Sequence, residues 1–287
     1  MEQVKIIECP RDAMQGIKTF IPTEKKVAYI QSLLRVGFDT IDFGSFVSPK
    51  AIPQMQDTAE VLAQLDLSST RSKLLAIIAN TRGAEAAAQH PEIQYLGYPF
   101  SISENFQMRN THKTIAESIV TLQEILNMAD KSNKEVVAYL SMGFGNPYGD
   151  PWNVEIVGEW TEKLANMGVT ILSLSDTVGS STPDVIDYLF SNLITKYPEI
   201  EFGAHLHITP DKWHEKVDAA YKAGCIRFDG AIQGFGGCPM AKDDLTGNMP
   251  TEKMLSYFTA EKVTTNLNSL SFESAYNEAT KIFNEYH

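Results

Sequence analysis

Basic charge is scarce in this chain: 24 Lys and Arg stand against 36 Asp and Glu, a formal net charge of −12. That shortage argues against a nucleic-acid binder, which would present a basic face. It still allows an anionic small-molecule ligand, because a local cluster of Lys and Arg is enough to form a pocket. Cysteine is scarce too. Cys9, Cys225 and Cys238 are odd in number and lack any CxxC spacing, so a disulfide framework is not expected and a reducing cytoplasm is. No apolar run approaches the length of a membrane span. The opening MEQVKIIECP lacks the charged-then-apolar order of a signal peptide. There is no low-complexity segment, and no repeat beyond a strand-helix unit. What remains is an ordinary globular composition, 43% apolar and 21% charged over 287 residues. It predicts a soluble cytoplasmic protein that engages neither membrane nor nucleic acid.

Short β-branched or apolar runs alternate with segments of helical periodicity. The strand candidates are Val4–Glu8, Asp39–Ser45, Lys73–Ala79, Ile93–Phe100, Glu135–Ser141, Val169–Ser175, Glu201–His207 and Cys225–Gly230. Between them, TEKKVAYIQSLLRVG offers Thr23 as an N-cap and Gly37 as a C-cap. The segment ending in LNMADK repeats apolar residues at helical spacing, as do those beginning NVEIV, TPDVI and DKWHE. Mostly apolar strands suit a parallel sheet buried on both faces. Eight such units without a linker fit a (β/α)8 TIM barrel better than an open doubly wound sheet. The turn after the first strand, CPRDAMQG, also lacks the dinucleotide-binding glycine pattern. The expectation is one domain over 1–287, with the barrel at about 4–258 and a helical C-terminal extension at 259–287.

In such a barrel the chemistry sits at the C-terminal ends of the strands. Arg11, Asp12 and Gln15 follow the first strand, Asp42 and Ser45 end the second, and Ser173, Ser175 and Asp176 end the sixth. His205 and His207, one residue apart on the seventh, would point to one side, into the barrel mouth. Two neutral imidazoles on one face suit a divalent metal; the alternative is a pair of buried, hydrogen-bonded histidines. Asp12 and Asn248 are the best-placed oxygen ligands to complete the shell. That donor set suits Mg²⁺ or Mn²⁺, and zinc on ligand type alone. Arg11 beside Asp12 reads either as a plain ion pair or as a partner for a carbonyl oxygen gaining negative charge. Cys238, in a long glycine-rich loop after the eighth strand, reads either as an exposed accident or as an acid or nucleophile delivered by a closing loop. Cys9 and Cys225 read as small core hydrophobes.

The ordered segments PRDAMQ, SFVSPKAIPQMQD, LSDTVGSSTP, HLH and GFGGCPMA…TGN together resemble the 3-hydroxy-3-methylglutaryl-CoA lyase family, within the wider group of DRE-TIM metallolyases. The resemblance covers roughly Val4 to Phe258. It implies a retro-Claisen cleavage of the hydroxyacyl-CoA to acetyl-CoA and acetoacetate. It implies a metal on Asp12, His205, His207 and Asn248, with Arg11 on the enolate oxygen and Cys238 protonating the enolate carbon. Asp42 and Asp176 would move protons or support the site. Gln15, Lys18, Ser45 and Ser173 match substrate- or structure-supporting positions, and Lys18 and Lys50 suit anionic parts of the CoA thioester. A homodimer, with the C-terminal helix as a contact, is also implied. The chain departs from the family pattern at Ala13 (glycine), Asp42 (glutamate), Asn146 (cysteine) and Ile208 (aspartate). These changes point to a divergent member. Two other readings stay compatible: a related metallolyase acting on a 2-oxo acid, and a metal-binding barrel without turnover.

Overall fold

The computed structural model describes residues 3–237 and 246–286. Eight parallel strands form a closed barrel: β1 (Lys5–Glu8), β2 (Thr40–Ser45), β3 (Lys73–Ile77), β4 (Ile93–Ser101), β5 (Glu135–Ser141), β6 (Ile171–Asp176), β7 (Glu201–Ile208) and β8 (Arg227–Gly230). Each pairs with its chain neighbour, and β1 pairs with β8 to close the ring. A ninth strand, β9 (Gly247–Asn248), lies antiparallel to β7 and sets Asn248 opposite His207. The helices are α1 (Pro10–Gln15), α2 (Thr23–Val36), α3 (Thr58–Leu62), α4 (Thr81–Ala88), α5 (Glu104–Thr111), α6 (Ile115–Lys131), α7 (Val154–Asn166), α8 (Pro183–Lys196), α9 (Trp213–Lys222), α10 (Thr251–Ala260) and α11 (Ser269–Tyr286). None of the helices described is long and apolar enough to cross a membrane.

Local chemistry accounts for many of the helix ends. Thr114 and Glu117 form a reciprocal capping box on α6. Thr182 caps α8 ahead of Pro183 at the first helical position. Gly37 ends α2 at φ 82°, a left-handed conformation suited to glycine. Thr23 is not the expected cap: it lies inside α2 after Pro22, and its hydroxyl is donated to Asp57 instead.

Outward-facing strand residues such as Ile6, Phe43, Leu74, Leu140, Leu172 and Phe202 join the helices in the main core. The barrel interior is divided. β3 to β6 supply an apolar cluster of Leu75, Ile77, Tyr95, Val137, Tyr139 and Ile171. β7, β8, β1 and β2 instead carry His205, His207, Arg227, Asp229, Lys5 and Asp42 on the inner face. These strands alternate polar and apolar residues, so the expectation of mostly apolar, non-alternating strands fails on this side. The polar residues are there because this half of the barrel leads to the site. The apolar face of α11, built on Ala275, Ala279, Ile282 and Phe283, is buried, and Phe283 packs edge-on against Tyr29 of α2.

Glu8 ends β1 fully buried. It accepts the Ile232 amide at 2.9 Å and the Thr251 hydroxyl at 2.6 Å. Burial pushes its carboxyl up to about 8 against the lowering effect of those two bonds, and nearby Glu252 adds to the rise. The folded state therefore holds this proton more tightly than the unfolded chain does. The stability contributed is full below pH ~4.5 and is lost as pH rises towards 8, on the order of 1 kcal/mol per pH unit. Glu8→Gln keeps the acceptor for Ile232 and offers an amide N–H to Thr251. The variant is expected to match the wild type in Tm at pH 5 and exceed it by several degrees at pH 9. Equal Tm values across that range would contradict this account of Glu8.

Candidate active site

The short helix α1 starts at Pro10, two residues after β1 ends, and carries Arg11, Asp12 and Gln15 to the barrel mouth. Proline at the first helical turn is preorganised there, which favours so short a helix. Arg11 is buried. Its Nε donates to both Asp42 oxygens at 3.2 and 3.0 Å, and Nη2 also donates to Asp42. Nη1 donates to Asp12 Oδ1 at 2.8 Å and Gln15 Oε1 at 3.0 Å. Of the five guanidinium protons, this leaves one on Nη2 uncommitted among the described residues. Burial opposes the Arg11 charge, but Asp42 and Asp12 outweigh it and raise its pKa. Asp42 is pushed up by burial to about 6 even with Arg11 beside it.

Asp12 gathers donors from three sides. Besides Arg11, Gln15 Nε2 donates to Oδ1 at 2.7 Å and Asn248 Nδ2 donates to Oδ2 at 2.7 Å. Burial works against its charge, yet Arg11, His205, His207 and Asn248 lower it to about 2. One ligand atom each from Asp12, His205 and His207 lie within 4.8 Å of one another. The ring environments assign the tautomers. His205 Nδ1 lies 3.0 Å from Asp229 Oδ2, and His207 Nδ1 lies 3.0 Å from the Thr177 carbonyl. Both partners accept, so each ring carries a proton on Nδ1, and each ring when neutral offers Nε2 as an electron-pair donor. For His205 burial opposes the charge but Asp229 outweighs it and raises its pKa, so a cation would take Nε2 in exchange for a proton. His207 Nε2 is buried with no hydrogen-bond partner among the described residues. Burial, then His205, lowers His207 to about 4, which keeps it neutral at physiological pH.

A buried, unpartnered imidazole nitrogen beside an ionised carboxylate fits a divalent cation well. Asn248 is the fourth candidate donor. Its amide nitrogen is spent on Asp12 and on the Phe235 carbonyl at 2.9 Å, so its oxygen is the atom a cation would take. The glycine run after β8 lies directly on this group. A Cβ on Gly236, at φ 86°, would fall 2.5 Å from the Asp12 carbonyl oxygen and 2.8 Å from Asn248 Nδ2. Only glycine permits that approach.

The remaining candidates divide. Ser45 is buried at the end of β2, where its hydroxyl accepts the Val47 amide at 3.2 Å. Lys18 and Lys50 are exposed on the segments following α1 and β2. Ser173 does not lie at the rim. It pairs in register with Gly203, two residues before His205, and is fully buried beneath the histidines. Asp176 faces away from the mouth. It accepts Lys216 Nζ at 2.7 Å and is also bonded by the Ser181 amide and hydroxyl. Lys216 also donates to the His207 carbonyl at 2.9 Å, so this pair holds the end of β7 in place. Cys238 lies outside the described residues. Ile208 is buried and faces the outer core, paired with Gly247.

Three site residues carried no role in the site as read from the sequence. Asp229 orients His205. Cys9 is buried in the core as expected, and its free thiol is also grouped with His205 and Asp229. Lys216 is a buried lysine on α9, a helix read from the sequence only for its apolar period. For Asp229 the signal was present: in RFDG, Arg227 and Asp229 alternate with the apolar Phe228, as an inward-facing polar pair should.

Comparison with known proteins adds four findings. A family model described as HMGL-like matches residues 3–277. The hydroxymethylglutaryl-CoA lyase YngG of Bacillus subtilis (strain 168) is 32% identical over 258 residues, covering 90% of this chain and 85% of the relative. The crystal structure of the HMG-CoA lyase from Brucella melitensis superposes with a TM-score of 0.91 at 30% identity, covering 98% of this chain and 99% of that one. An HMG-CoA lyase from Acinetobacter baumannii, in complex with coenzyme A and 3-methylmalate, superposes with a TM-score of 0.88 at 29% identity over 96% of this chain and 89% of that one.

Proposed function

The chain belongs to the HMGL-like family, and on that premise we propose that it cleaves 3-hydroxy-3-methylglutaryl-CoA to acetyl-CoA and acetoacetate. The observation that carries the reading is the meeting of Asp12, His205 and the unpartnered His207 Nε2 beside Arg11. Asp12, His205, His207 and Asn248 would hold the divalent metal, and their mixed oxygen and nitrogen donors suit Mg²⁺ or Mn²⁺. A cation bound there supplies positive charge that acidifies the C3 hydroxyl and orients a carboxylate oxygen.

The C3 hydroxyl gives up its proton and the alkoxide collapses to the ketone of acetoacetate. The C2–C3 bond breaks, and its electron pair passes into the thioester as an enolate. Arg11 stabilises the enolate oxygen through its uncommitted N–H, while Asp42 and Gln15 fix the guanidinium plane. Asp42, raised to about 6, is the carboxylate best matched to accept a proton near neutral pH. Asp176, committed to Lys216 and Ser181, supports the fold of the site. Cys238 protonates the enolate carbon; supporting this, it follows Gly237 on the loop that crosses Asp12. Gln15 and Ser45 line the substrate side. Lys18 and Lys50 meet the anionic parts of the CoA group, a ligand that the Acinetobacter relative holds. Ser173 takes a supporting role beneath the histidines. A homodimer in the cytoplasm completes the proposal.

The test is to incubate the purified protein with 3-hydroxy-3-methylglutaryl-CoA and Mn²⁺ or Mg²⁺ and assay acetoacetate. Product is expected, and it should vanish with EDTA and with Cys238→Ala. Metal uptake without product from this or any hydroxyacyl-CoA would overturn the proposal in favour of a barrel without turnover. Product from 2-oxo acids alone would point to another metallolyase reaction.

A further inference from the structure

Beneath the candidate metal ligands lies a second set of buried polar atoms that the proposed reaction does not use. Arg227 is fully buried, and its hydrogen-bond partner is Glu201, reached through Nη1 at 3.1 Å. Its Nε and Nη2, the hydroxyls of Tyr139 and Ser173, and Asp229 Oδ1 are buried without a hydrogen-bond partner among the described residues. These groups are neighbours. Tyr139 pairs in register with Ser173, Ser173 with Gly203, and Gly203 with Arg227, so they form one row around the inner wall. Asp229 is one inward position further along β8. A Cβ at Gly203 would lie 3.1 Å from both Arg227 Cδ and Ser173 Oγ, so glycine is what lets these two side chains approach each other over the strand.

We propose that a buried water bridges these unpartnered groups, that through it Arg227 fixes Asp229, and that Asp229 thereby positions His205 for metal binding. The chemistry selects water. Arg227, Tyr139 and Ser173 present donors, and Asp229 Oδ1 presents an acceptor. Only a molecule that both accepts and donates can link an Arg227 N–H to Asp229 Oδ1, with the two hydroxyls as further partners. A small anion would leave Asp229 Oδ1 unpaired and repel it. The other Asp229 oxygen takes the Nδ1 proton of His205 at 3.0 Å. A carboxylate held at both oxygens locks that tautomer and ring plane, which leaves Nε2 aimed at Asp12 and His207. Arg227 is therefore a positioning residue, separated from the metal ligands by Asp229 and water.

The inference rests on the metal reading above, and two measurements separate the two. In the first, Mn²⁺ is titrated into the chelator-stripped protein and free Mn²⁺ is followed by electron paramagnetic resonance. Arg227→Met is expected to weaken Mn²⁺ binding about 10-fold or more. Lys5→Met, which removes the other cation on Glu201, is expected to leave it unchanged. Mn²⁺ binding by Arg227→Met equal to the wild type, with Tm lowered as in Lys5→Met, overturns the proposal. In the second, ¹⁵N NMR of the metal-free protein reads the His205 tautomer. Measured at alkaline pH, where the ring is neutral, the wild type should show the Nδ1-protonated form and Arg227→Met a mixture; an unchanged tautomer overturns the proposal. If Arg227→Met does not fold, Tyr139→Phe removes a single donor from the same water site and should shift both readouts in the same direction, or the proposal fails. A wild type that takes up no Mn²⁺ refutes the metal reading, while the tautomer measurement still decides the role of Arg227.

Discussion

Asp12→Ala is expected to lower kcat/KM by about 10³-fold or more and to weaken Mn²⁺ binding in parallel. A bound cation contributes several kcal/mol to such a reaction, and each 1.36 kcal/mol is about tenfold in rate. Asp12 is the carboxylate of the set, flanked by Arg11, Gln15 and Asn248. Its removal leaves two neutral imidazoles and an amide, a weaker donor set for Mg²⁺ or Mn²⁺. Because the surrounding cations and Asn248 lower Asp12 to about 2, its ionisation should not limit activity above pH 4. Asp12→Asn keeps the volume and should show nearly the same loss. The experiment needs three measurements: kcat/KM, Mn²⁺ affinity and Tm. A variant that loses activity while binding Mn²⁺ as tightly as the wild type would remove Asp12 from the ligand set.

Arg11→Lys is expected to lower kcat by about 10²–10³-fold, the usual cost of losing one preorganised donor to a developing oxyanion, with KM little changed. Lysine keeps the charge but cannot reproduce the fork that holds Asp42, Asp12 and Gln15 together. A merely structural Arg11 would behave differently. Lysine would then still neutralise the buried Asp42 and Asp12, and kcat measured on the folded protein would remain within about tenfold of the wild type. Arg11→Met leaves Asp42 buried without its cation and should also cost about 3–5 kcal/mol of stability. The two variants together separate the electrostatic role from the supporting one. A normal kcat in Arg11→Lys would refute the enolate-stabilising role.

The alternation of strands and helices was legible because each strand is a short apolar run and each long helix carries a full period. The bounds of β1 to β8 lie within two residues of the expected ones. The helix α1 was not legible. Six residues hold too few turns for a hydrophobic period to show, and such a helix is stable only through tertiary contacts. It was read as a turn, although it carries Arg11 and Asp12. β9 is two residues long and has no pattern of its own, yet it is what sets Asn248 opposite His207. Ser173 and Asp176 were both assigned to the rim because they stand near the end of a strand. The pleat sends Ser173 inward and below, and Asp176 outward to Lys216.

By itself, then, the sequence determined the order of the elements and the residue types able to do chemistry: the histidine pair, the Arg-Asp pair and the loop containing Cys238. Periodicity reports whether a residue's own stretch of chain is buried, and those features are local. Which residues meet was decided only by the tertiary structure. Pairing β1 with β8 brings Asp12 to Asn248 across 236 positions of chain. The same closure turns Asp229 onto His205 and encloses Arg227 where no water from outside reaches it. The cause is the closed ring of hydrogen bonds, which no single segment can form alone.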